Sequence, residues 1–323
     1  MATPQLQTQQ LHDETLTLRP EERERLKKRR QYVKDYDPPK WRSSQPDPVS
    51  GQLIERPMVP HANIVFIGPT GSGKSSLIGS LVRAVTEVAE FPARIQMTLN
   101  HPGEDSHGTI MWLETRGNRK ESILYQDTRG DQEYDQVEQS IHEFELQGMY
   151  RDGAELKATT FFSKDWWLSR RFFWEQSLAE VPHCVVFVFD GSSDPFLDQE
   201  SLEFFQQVFK DCTNHGYEPI IVVTCLDLIH QEALRQGFNF EVEVGHKKDK
   251  VLQAFEDLHL TRQSIYFVTN FHEGRRGVKV WGERDRGFEK ATKCMVDLAR
   301  DMLTVADRFI KRKYTNESRC CVL

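Results

Sequence analysis

Residues 63–76 read NIVFIGPTGSGKSS, and this stretch decides the fold class of the chain. The apolar run 63–67 predicts a buried strand, and an amphipathic helical pattern begins at Ser75. Between them, residues 68–75 match the phosphate-loop pattern G-x-x-x-x-G-K-S, whose glycines let backbone N–H groups converge on an anion. Because strand, glycine loop and helix occur in the order that this pattern requires, the sequence predicts a P-loop nucleotide-binding domain.

The residues of this loop have expected roles in binding a nucleotide. Lys74 is expected to reach the outer phosphates, and the Ser75 hydroxyl is expected to ligate Mg²⁺. The positive end of the helix dipole adds to the attraction for phosphate. Nucleotide contacts are predicted for Gly68, Gly71, Ser72, Gly73, Lys74, Ser75 and Ser76.

From residue 63 onward, short apolar strands alternate with amphipathic helices. This order predicts an α/β fold with a mostly parallel central sheet and helices on both faces. Segments 109–114 and 123–126 flank a turn with Gly117 and Asn118, so they are expected to form one antiparallel hairpin. The other strands are predicted at 63–67, 184–190, 220–224 and 265–268, and helices at 75–88, 199–210, 248–258 and 288–311.

A second motif, DTRG at residues 127–130, follows one of the predicted strands. The Asp127 carboxylate is expected to hold the Mg²⁺ shell, and the Gly130 N–H is expected to meet a γ-phosphate. A threonine that closes on Mg²⁺ should lie between the first helix and the hairpin. Thr98, Ser106 and Thr109 compete for that role, and Thr109 is favoured.

Hydrolysis needs a group that orients water and a group that neutralises developing charge. Asp131 directly follows Gly130, where many switch GTPases have glutamine, and Gln132 is displaced by one position. The candidate catalytic residues are therefore Gln132 and Arg129.

The motif TCLD at residues 224–227 resembles the guanine-reading [NT]-K-x-D motif of GTPases. A carboxylate at Asp227 accepts both the ring N–H and the exocyclic amine of guanine, so it would select GTP over ATP. Cys225 replaces the usual lysine, which is expected to weaken guanine binding. Thr224 is a further candidate contact, as are Thr269 and Asn270 in the last loop, FVTN at 267–270.

The chain divides into three predicted regions. Residues 1–57 are polar, charged and dotted with proline, which predicts a flexible tail with one short helix at most. Residues 58–313 form the predicted G domain, with an insert at about 131–180, and residues 314–323 form a carboxyl-terminal tail.

Composition limits the cellular setting. The 323 residues include six cysteines without a metal-ligand pattern or a dense disulfide framework, which favours a reducing cytosol. Apolar runs are too short to span a bilayer, and no signal-peptide pattern is found, so a cytoplasmic protein is expected. A net charge of −7 argues against general nucleic-acid binding, which relies on clustered Lys and Arg.

The segments GPTGSGKSS, DTRG, HCVVFVFDGSS, VTCLD and FVTN, with an insert that contains LQGMYRDG, together resemble the interferon-induced protein 44 family of G domains. The resemblance covers roughly residues 36–310. It implies a dynamin-like or Ras-like G domain, GTP binding by residues 68–75, Asp127, Gly130 and Asp227, a cytoplasmic location and a link to innate defence. The charged amino end and the carboxyl-terminal motif depart from the family.

That motif is CCVL at residues 320–323, which matches C-a-a-X with leucine last, the form associated with geranylgeranylation of Cys320. The basic residues Lys311, Arg312 and Lys313 upstream would add attraction to anionic lipid. We therefore expect a prenylated GTPase that binds GTP or GDP with Mg²⁺ on a cytosolic membrane face. Two alternatives remain: a nucleotide-dependent scaffold for a protein effector, and an ATP-using P-loop enzyme.

Overall fold

The computed structural model describes residues 18–46, 53–87, 113–128, 130–131, 134, 136–148, 177–192, 198–225, 240–254, 264–271 and 288–320. Within these ranges lie six helices and eight strands. In chain order they are α1 (Pro20–Lys34), β1 (Lys40–Pro46), β2 (Leu53–Pro57), β3 (Ala62–Ile67), α2 (Lys74–Thr86), β4 (Leu113–Arg116), β5 (Ile123–Asp127), α3 (Gln136–Leu146), β6 (Cys184–Asp190), α4 (Gln199–Asn214), β7 (Ile220–Thr224), α5 (Phe240–Ala254), β8 (Ile265–Phe267) and α6 (Phe288–Cys320).

A six-stranded sheet organises the domain in the strand order β4-β5-β3-β6-β7-β8. Strands β5, β3, β6, β7 and β8 are parallel, and β4 is antiparallel to β5. This arrangement confirms the predicted α/β fold with a single antiparallel hairpin strand. Because β3 pairs with β5 on one side and β6 on the other, the strand order reverses at β3, where such sheets form their binding crevice.

Hydrophobic cores lie on both faces of the sheet. Alternate residues of β3 face opposite layers: Ile64 and Phe66 pack in the core under α2 and α6, whereas Val65 and Ile67 pack in the core under α4. All of β3 is buried, which explains why its sequence is an almost continuous apolar run. The central strands therefore provide a rigid base for the loops at their carboxyl ends.

Helix α1 is packed on the domain, although the sequence predicts a flexible tail for residues 1–57. Leu26 and Val33, seven residues apart, lie on one side of α1 and are buried in the core with residues of α6. The Tyr36 hydroxyl donates a hydrogen bond of 2.7 Å to Asp307. The narrow apolar stripe of α1 gives little sequence signal, because α2 and α6 supply most of the apolar surface that it meets.

Several element boundaries also differ from the predictions. Helix α3 lies in the region predicted as an insert, and α5 begins at Phe240, earlier than predicted. Helix α6 continues to Cys320, so residues 314–320 are helical rather than a tail. No glycine or proline interrupts residues 312–320, so this polar segment contains no stop signal. None of the described helices is long and apolar enough to cross a membrane.

Candidate nucleotide-binding site

The loop between β3 and α2 has a backbone that requires glycine. Gly68, Gly71 and Gly73 have φ angles of 154°, 82° and 90°. A Cβ atom at Gly68 would lie 2.1 Å from the carbonyl oxygen of Val188 in β6, and one at Gly73 would lie 3.1 Å from Asn270 Nδ2. The loop therefore lies directly against the end of β6 and against the loop that follows β8.

Lys74 is buried within this loop. Its Nζ donates hydrogen bonds of 2.7 Å to the Gly68 carbonyl and 3.0 Å to the Pro69 carbonyl. Burial lowers the pKa of Lys74, and the nearby carboxylates of Asp131 and Asp127 oppose that shift. The side chain thus places a cation beneath the loop, where the phosphates of a nucleotide are expected.

The hydroxyl of Ser75 and the carboxylate of Asp127 meet at the entrance of the loop. Ser75 Oγ donates a hydrogen bond of 2.5 Å to Asp127 Oδ2. The other carboxylate oxygen, Asp127 Oδ1, is buried and has no hydrogen-bond partner among the described residues. Burial raises the pKa of Asp127 to about 6, against the lowering effects of Ser75 and Lys74. A cation would favour the ionised form of this carboxyl group.

These two oxygen donors fit Mg²⁺. Mg²⁺ is usually held in nucleotide sites by one or two protein oxygens together with phosphate and water. Within the described part of the chain, no group of three or more His, Cys, Asp or Glu residues could hold a metal ion by itself. A hydroxyl and a carboxylate, as Ser75 and Asp127 provide here, suit a metal that is bound jointly with phosphate.

Gly130 and Asp131, at the end of the DTRG motif and directly after it, lie against the phosphate loop through backbone contacts. The Thr70 N–H donates to the Asp131 carbonyl over 2.9 Å, and the Asp131 N–H donates to the Gly68 carbonyl over 3.2 Å. A Cβ atom at Gly130 would lie 2.4 Å from Thr70 Cα, so only glycine fits there without movement. The Thr128 hydroxyl fixes the start of the segment by donating 2.7 Å to the Phe66 carbonyl.

Asp131 forms a buried network with two side chains that the sequence analysis misses, His142 and Glu145. His142 Nε2 lies 2.8 Å from Asp131 Oδ1, and His142 Nδ1 lies 2.7 Å from Glu145 Oε2. The three side chains are only 3%, 6% and 1% exposed, respectively for His142, Asp131 and Glu145. A sequence signal exists in the spacing of His142 and Glu145, because residues i and i+3 share one face of a helix.

The loops that follow β7 and β8 also reach the phosphate loop. Thr224 Oγ1 donates to the Ser72 carbonyl over 2.7 Å, and Asn270 Nδ2 donates to the Gly73 carbonyl over 3.4 Å. Thr269 is buried beside Asn270. Cys225 has a φ of 59°, so the chain turns sharply directly after Thr224. The candidate residues at the end of β7 and after β8 thus lie with the phosphate loop at one edge of the sheet.

Unpaired polar atoms surround this edge. Buried side-chain oxygens that lack a hydrogen-bond partner among the described residues include Thr70 Oγ1, Ser72 Oγ, Asp127 Oδ1, Asp131 Oδ2 and Asn270 Oδ1. Buried polar atoms in native proteins are almost always paired, so these five oxygens fit a place where water or a polar ligand completes the pairing.

Other predicted site residues are placed differently. Ser76 is buried, and its carbonyl accepts the Ser80 hydroxyl within α2. Thr109, Arg129, Gln132 and Asp227 lie outside the described residues. Cys320 is the last residue of α6, and the structure describes its backbone alone.

The sheet order, the phosphate loop after β3 and the DTRG segment after β5 together define the architecture. The chain has the fold of a P-loop G domain. No protein-family model matches the chain. A search of curated proteins likewise finds no match.

Solved structures include distant matches. The GTPase-like domain of Ski7 from S. cerevisiae, bound to GTP, is 16% identical with a TM-score of 0.36, and the match covers 75% of this chain and 51% of that chain. This chain thus spans about half the length of the Ski7 chain. Toc33 from Arabidopsis thaliana, in complex with Mg²⁺ and GMPPNP, is 12% identical with a TM-score of 0.45, and the match covers 77% of this chain and 86% of that chain. Matches with TM-scores this low do not support a functional assignment, which therefore rests on the geometry of the site.

Proposed function

We propose that this protein binds GTP and GDP with Mg²⁺, hydrolyses GTP slowly and changes the conformation of its DTRG segment between the two states. One observation carries the proposal: the Ser75 hydroxyl meets the Asp127 carboxylate at the mouth of a phosphate loop, beside the buried cation of Lys74. Hydroxyl, carboxylate and lysine at these positions are the parts that P-loop NTPases use to bind a nucleotide.

Ser75 and Asp127 would hold Mg²⁺, together with Thr109 if that residue closes on the site. When bound, Mg²⁺ supplies positive charge that stabilises the charge developing on the phosphate oxygens. The Lys74 ammonium would pair with the outer phosphates and exchange its bonds to the Gly68 and Pro69 carbonyls for phosphate oxygens. Backbone N–H groups of the loop, at the start of α2, would bind the inner phosphates.

Binding is tested by titrating the purified protein with fluorescent GTP, GDP and ATP analogues, in Mg²⁺ and again in EDTA. Lys74→Ala should abolish binding in both conditions. Ser75→Ala should weaken binding in Mg²⁺ and have little effect in EDTA, because it removes a metal ligand. Thr86→Ala removes a hydroxyl at the other end of the same helix and should change neither affinity. If no nucleotide binds to the wild type, the proposal is wrong.

Guanine selection is proposed for Asp227, which follows β7 in the chain. Its carboxylate would accept two hydrogen bonds from guanine, and adenine offers no such pair of donors. Asp227→Asn should therefore lose affinity for GTP and gain affinity for xanthosine triphosphate, whose ring carbonyl accepts a hydrogen bond from the new amide. Equal ATP and GTP binding by the wild type would favour an ATP-using P-loop enzyme instead.

A second candidate function is a nucleotide-dependent scaffold with little hydrolysis. It is favoured by Asp131, which occupies the position of the usual glutamine and directs one carboxylate oxygen to His142. Single-turnover hydrolysis of GTP by the wild type, Gln132→Ala and Arg129→Ala separates the two functions. A slow rate that falls in either variant supports the GTPase, and a rate equal to that without protein supports the scaffold.

Membership in the interferon-induced protein 44 family, a link to innate defence and attachment to a cytosolic membrane face are further proposals. Sequence motifs support them, with CCVL at residues 320–323 as the feature that favours geranylgeranylation. Incubation of the protein with geranylgeranyltransferase and a tagged isoprenoid tests the last of these. Labelling should be lost in Cys320→Ser and retained in Cys321→Ser.

A further inference from the structure

The buried network of Asp131, His142 and Glu145, which we call the latch, connects the DTRG segment to helix α3. Both ring nitrogens of His142 face carboxylate oxygens, at 2.8 Å and 2.7 Å. An imidazolium can donate a hydrogen bond to each, whereas a neutral ring can donate only one. With both carboxylates ionised, the charged ring is the form that satisfies both contacts, and such charge-assisted bonds are stronger than neutral ones.

The electrostatic surroundings agree with a charged ring. Burial lowers the pKa of His142, but the Asp131 and Glu145 carboxylates outweigh that effect and raise the pKa to about 10. The ring also lies against Phe204 of α4, with a centroid separation of 5.8 Å. The His142 ring therefore lies between its own helix α3 and helix α4, with Asp131 as its contact on the segment that follows DTRG.

Asp131 joins the latch to the phosphate loop. Its side chain is held by His142, while its backbone exchanges two hydrogen bonds with the loop, through Thr70 and Gly68. One residue thus ties helix α3 to the nucleotide site.

This tie closes the space where a third phosphate is expected. A γ-phosphate that meets the Gly130 N–H would have to lie between Gly130 and the phosphate loop. A Cβ atom at Gly130 would lie 2.4 Å from Thr70 Cα and 2.7 Å from Thr70 N, so the two backbones are already in contact. A triphosphate must therefore separate them, whereas a diphosphate does not extend so far.

We propose that His142 is a positioning residue which, acting through Asp131, holds Gly130 and Asp131 against the phosphate loop and so lowers the affinity for nucleoside triphosphate relative to diphosphate. The proposal rests on the nucleotide-binding function proposed above. The latch stabilises the closed state, in which Gly130 contacts the phosphate loop. It should therefore weaken binding of a triphosphate, which requires the open state, more than binding of a diphosphate, because a ligand shifts a two-state equilibrium only by its different affinity for the two states.

The first test compares affinities for fluorescent GDP and for a fluorescent GMPPNP analogue in Mg²⁺. In His142→Gln, a neutral amide replaces the imidazolium, and the preference for the triphosphate analogue should rise about tenfold, since a bond to a charged group is lost. Glu145→Gln should give a smaller rise in the same direction, and it replaces His142→Gln as the test if that variant does not fold.

His183→Gln is the matched control. His183 is the buried imidazole at the start of β6, where it accepts a 2.8 Å hydrogen bond from the Asn63 N–H, at the opposite end of the sheet. Its substitution should lower stability and leave the ratio of the two affinities unchanged. An unchanged or lowered triphosphate preference in both latch variants would overturn the proposal.

Hydrogen exchange without nucleotide gives an independent readout. Peptides that contain Thr70 and Asp131 should exchange faster in His142→Gln than in the wild type, and peptides from β6 should not. If the wild type binds neither nucleotide, the proposed function fails while exchange still tests whether the latch closes the loop. If binding occurs but neither the affinity ratio nor the exchange responds, the latch proposal alone is wrong.

Discussion

Gly68 and Gly71 belong to the same phosphate loop, yet the structure constrains them differently. Both have positive φ angles, 154° and 82°. A Cβ atom at Gly68 would meet the Val188 carbonyl at 2.1 Å, whereas one at Gly71 has no atom within 4 Å. The sequence identifies both as loop glycines but does not distinguish them, because the strand against which Gly68 lies is more than a hundred residues away in the chain.

Alanine at these two positions should therefore have unequal effects on stability. Gly71→Ala should cost about 1 kcal/mol of unfolding free energy through backbone strain alone. Gly68→Ala must also displace β6, so its total cost should be about 2–4 kcal/mol. Urea denaturation of the two variants measures both costs. Equal losses would contradict the contact with Val188.

His183 should make stability depend on pH in the acid range. Burial lowers its pKa to about 4 from the ordinary 6.5, only partly opposed by its bond to the Leu178 carbonyl. The unfolded chain takes up the proton first, so this contribution is present above about pH 6.5 and is lost as the pH falls towards 4. The pKa difference corresponds to about 3 kcal/mol.

The unfolding free energies of the wild type and His183→Asn, measured in urea at about pH 7 and about pH 4, test this prediction. The wild type should lose about 3 kcal/mol more than the variant over this interval, because the amide does not titrate. Parallel losses would show that His183 keeps an ordinary pKa in the folded protein.

At the scale of elements, the core strands and the starts of helices α2, α4 and α6 were predictable, whereas helix α3 and the packing of α1 were not. Strands β6 and β7 have the predicted bounds, because each is an uninterrupted apolar run buried on both faces. Helices α1 and α3 carry short apolar stripes among charges, so their sequences resemble solvated segments. Their packing depends on surfaces supplied by distant parts of the chain, which no local pattern records.

Helix α1 provides a direct test of this distinction. Val33 is fully buried beneath α6, whereas Val242 on α5 is 52% exposed. If α1 is part of the folded domain, Val33→Ala should lower the unfolding free energy by about 2 kcal/mol. Val242→Ala, the same change on the surface, should alter it by less than about 0.5 kcal/mol. Equal, small effects in chemical denaturation would instead support the flexible tail that the sequence predicts.

For the whole molecule, the candidate site arises because one edge of the sheet gathers segments that are far apart in the chain. The phosphate loop and the ends of β5, β7 and β8 meet there through the contacts of Asp127, Thr224 and Asn270. Each motif was recognisable from its own residues, and a parallel sheet explains why they converge. The latch could not be recognised in this way, because His142 lies on α3 and its partner Asp131 lies on a different segment.

Because the candidate site lies at one edge of the sheet, the structure predicts which parts of the protein a bound nucleotide stabilises. Bound GDP with Mg²⁺ should slow amide exchange in peptides that contain the phosphate loop, the end of β5 and residues 267–271. Strands β1 and β2 pair antiparallel and precede the amino end of β3 in the chain, so their sub-global opening should change little. Total stabilisation at a hundredfold excess over the dissociation constant should be about 2.7 kcal/mol. Lys74→Ala should remove all of these effects at the same GDP concentration. Uniform protection across the chain would show that nucleotide acts on global unfolding alone, without a local site at this edge.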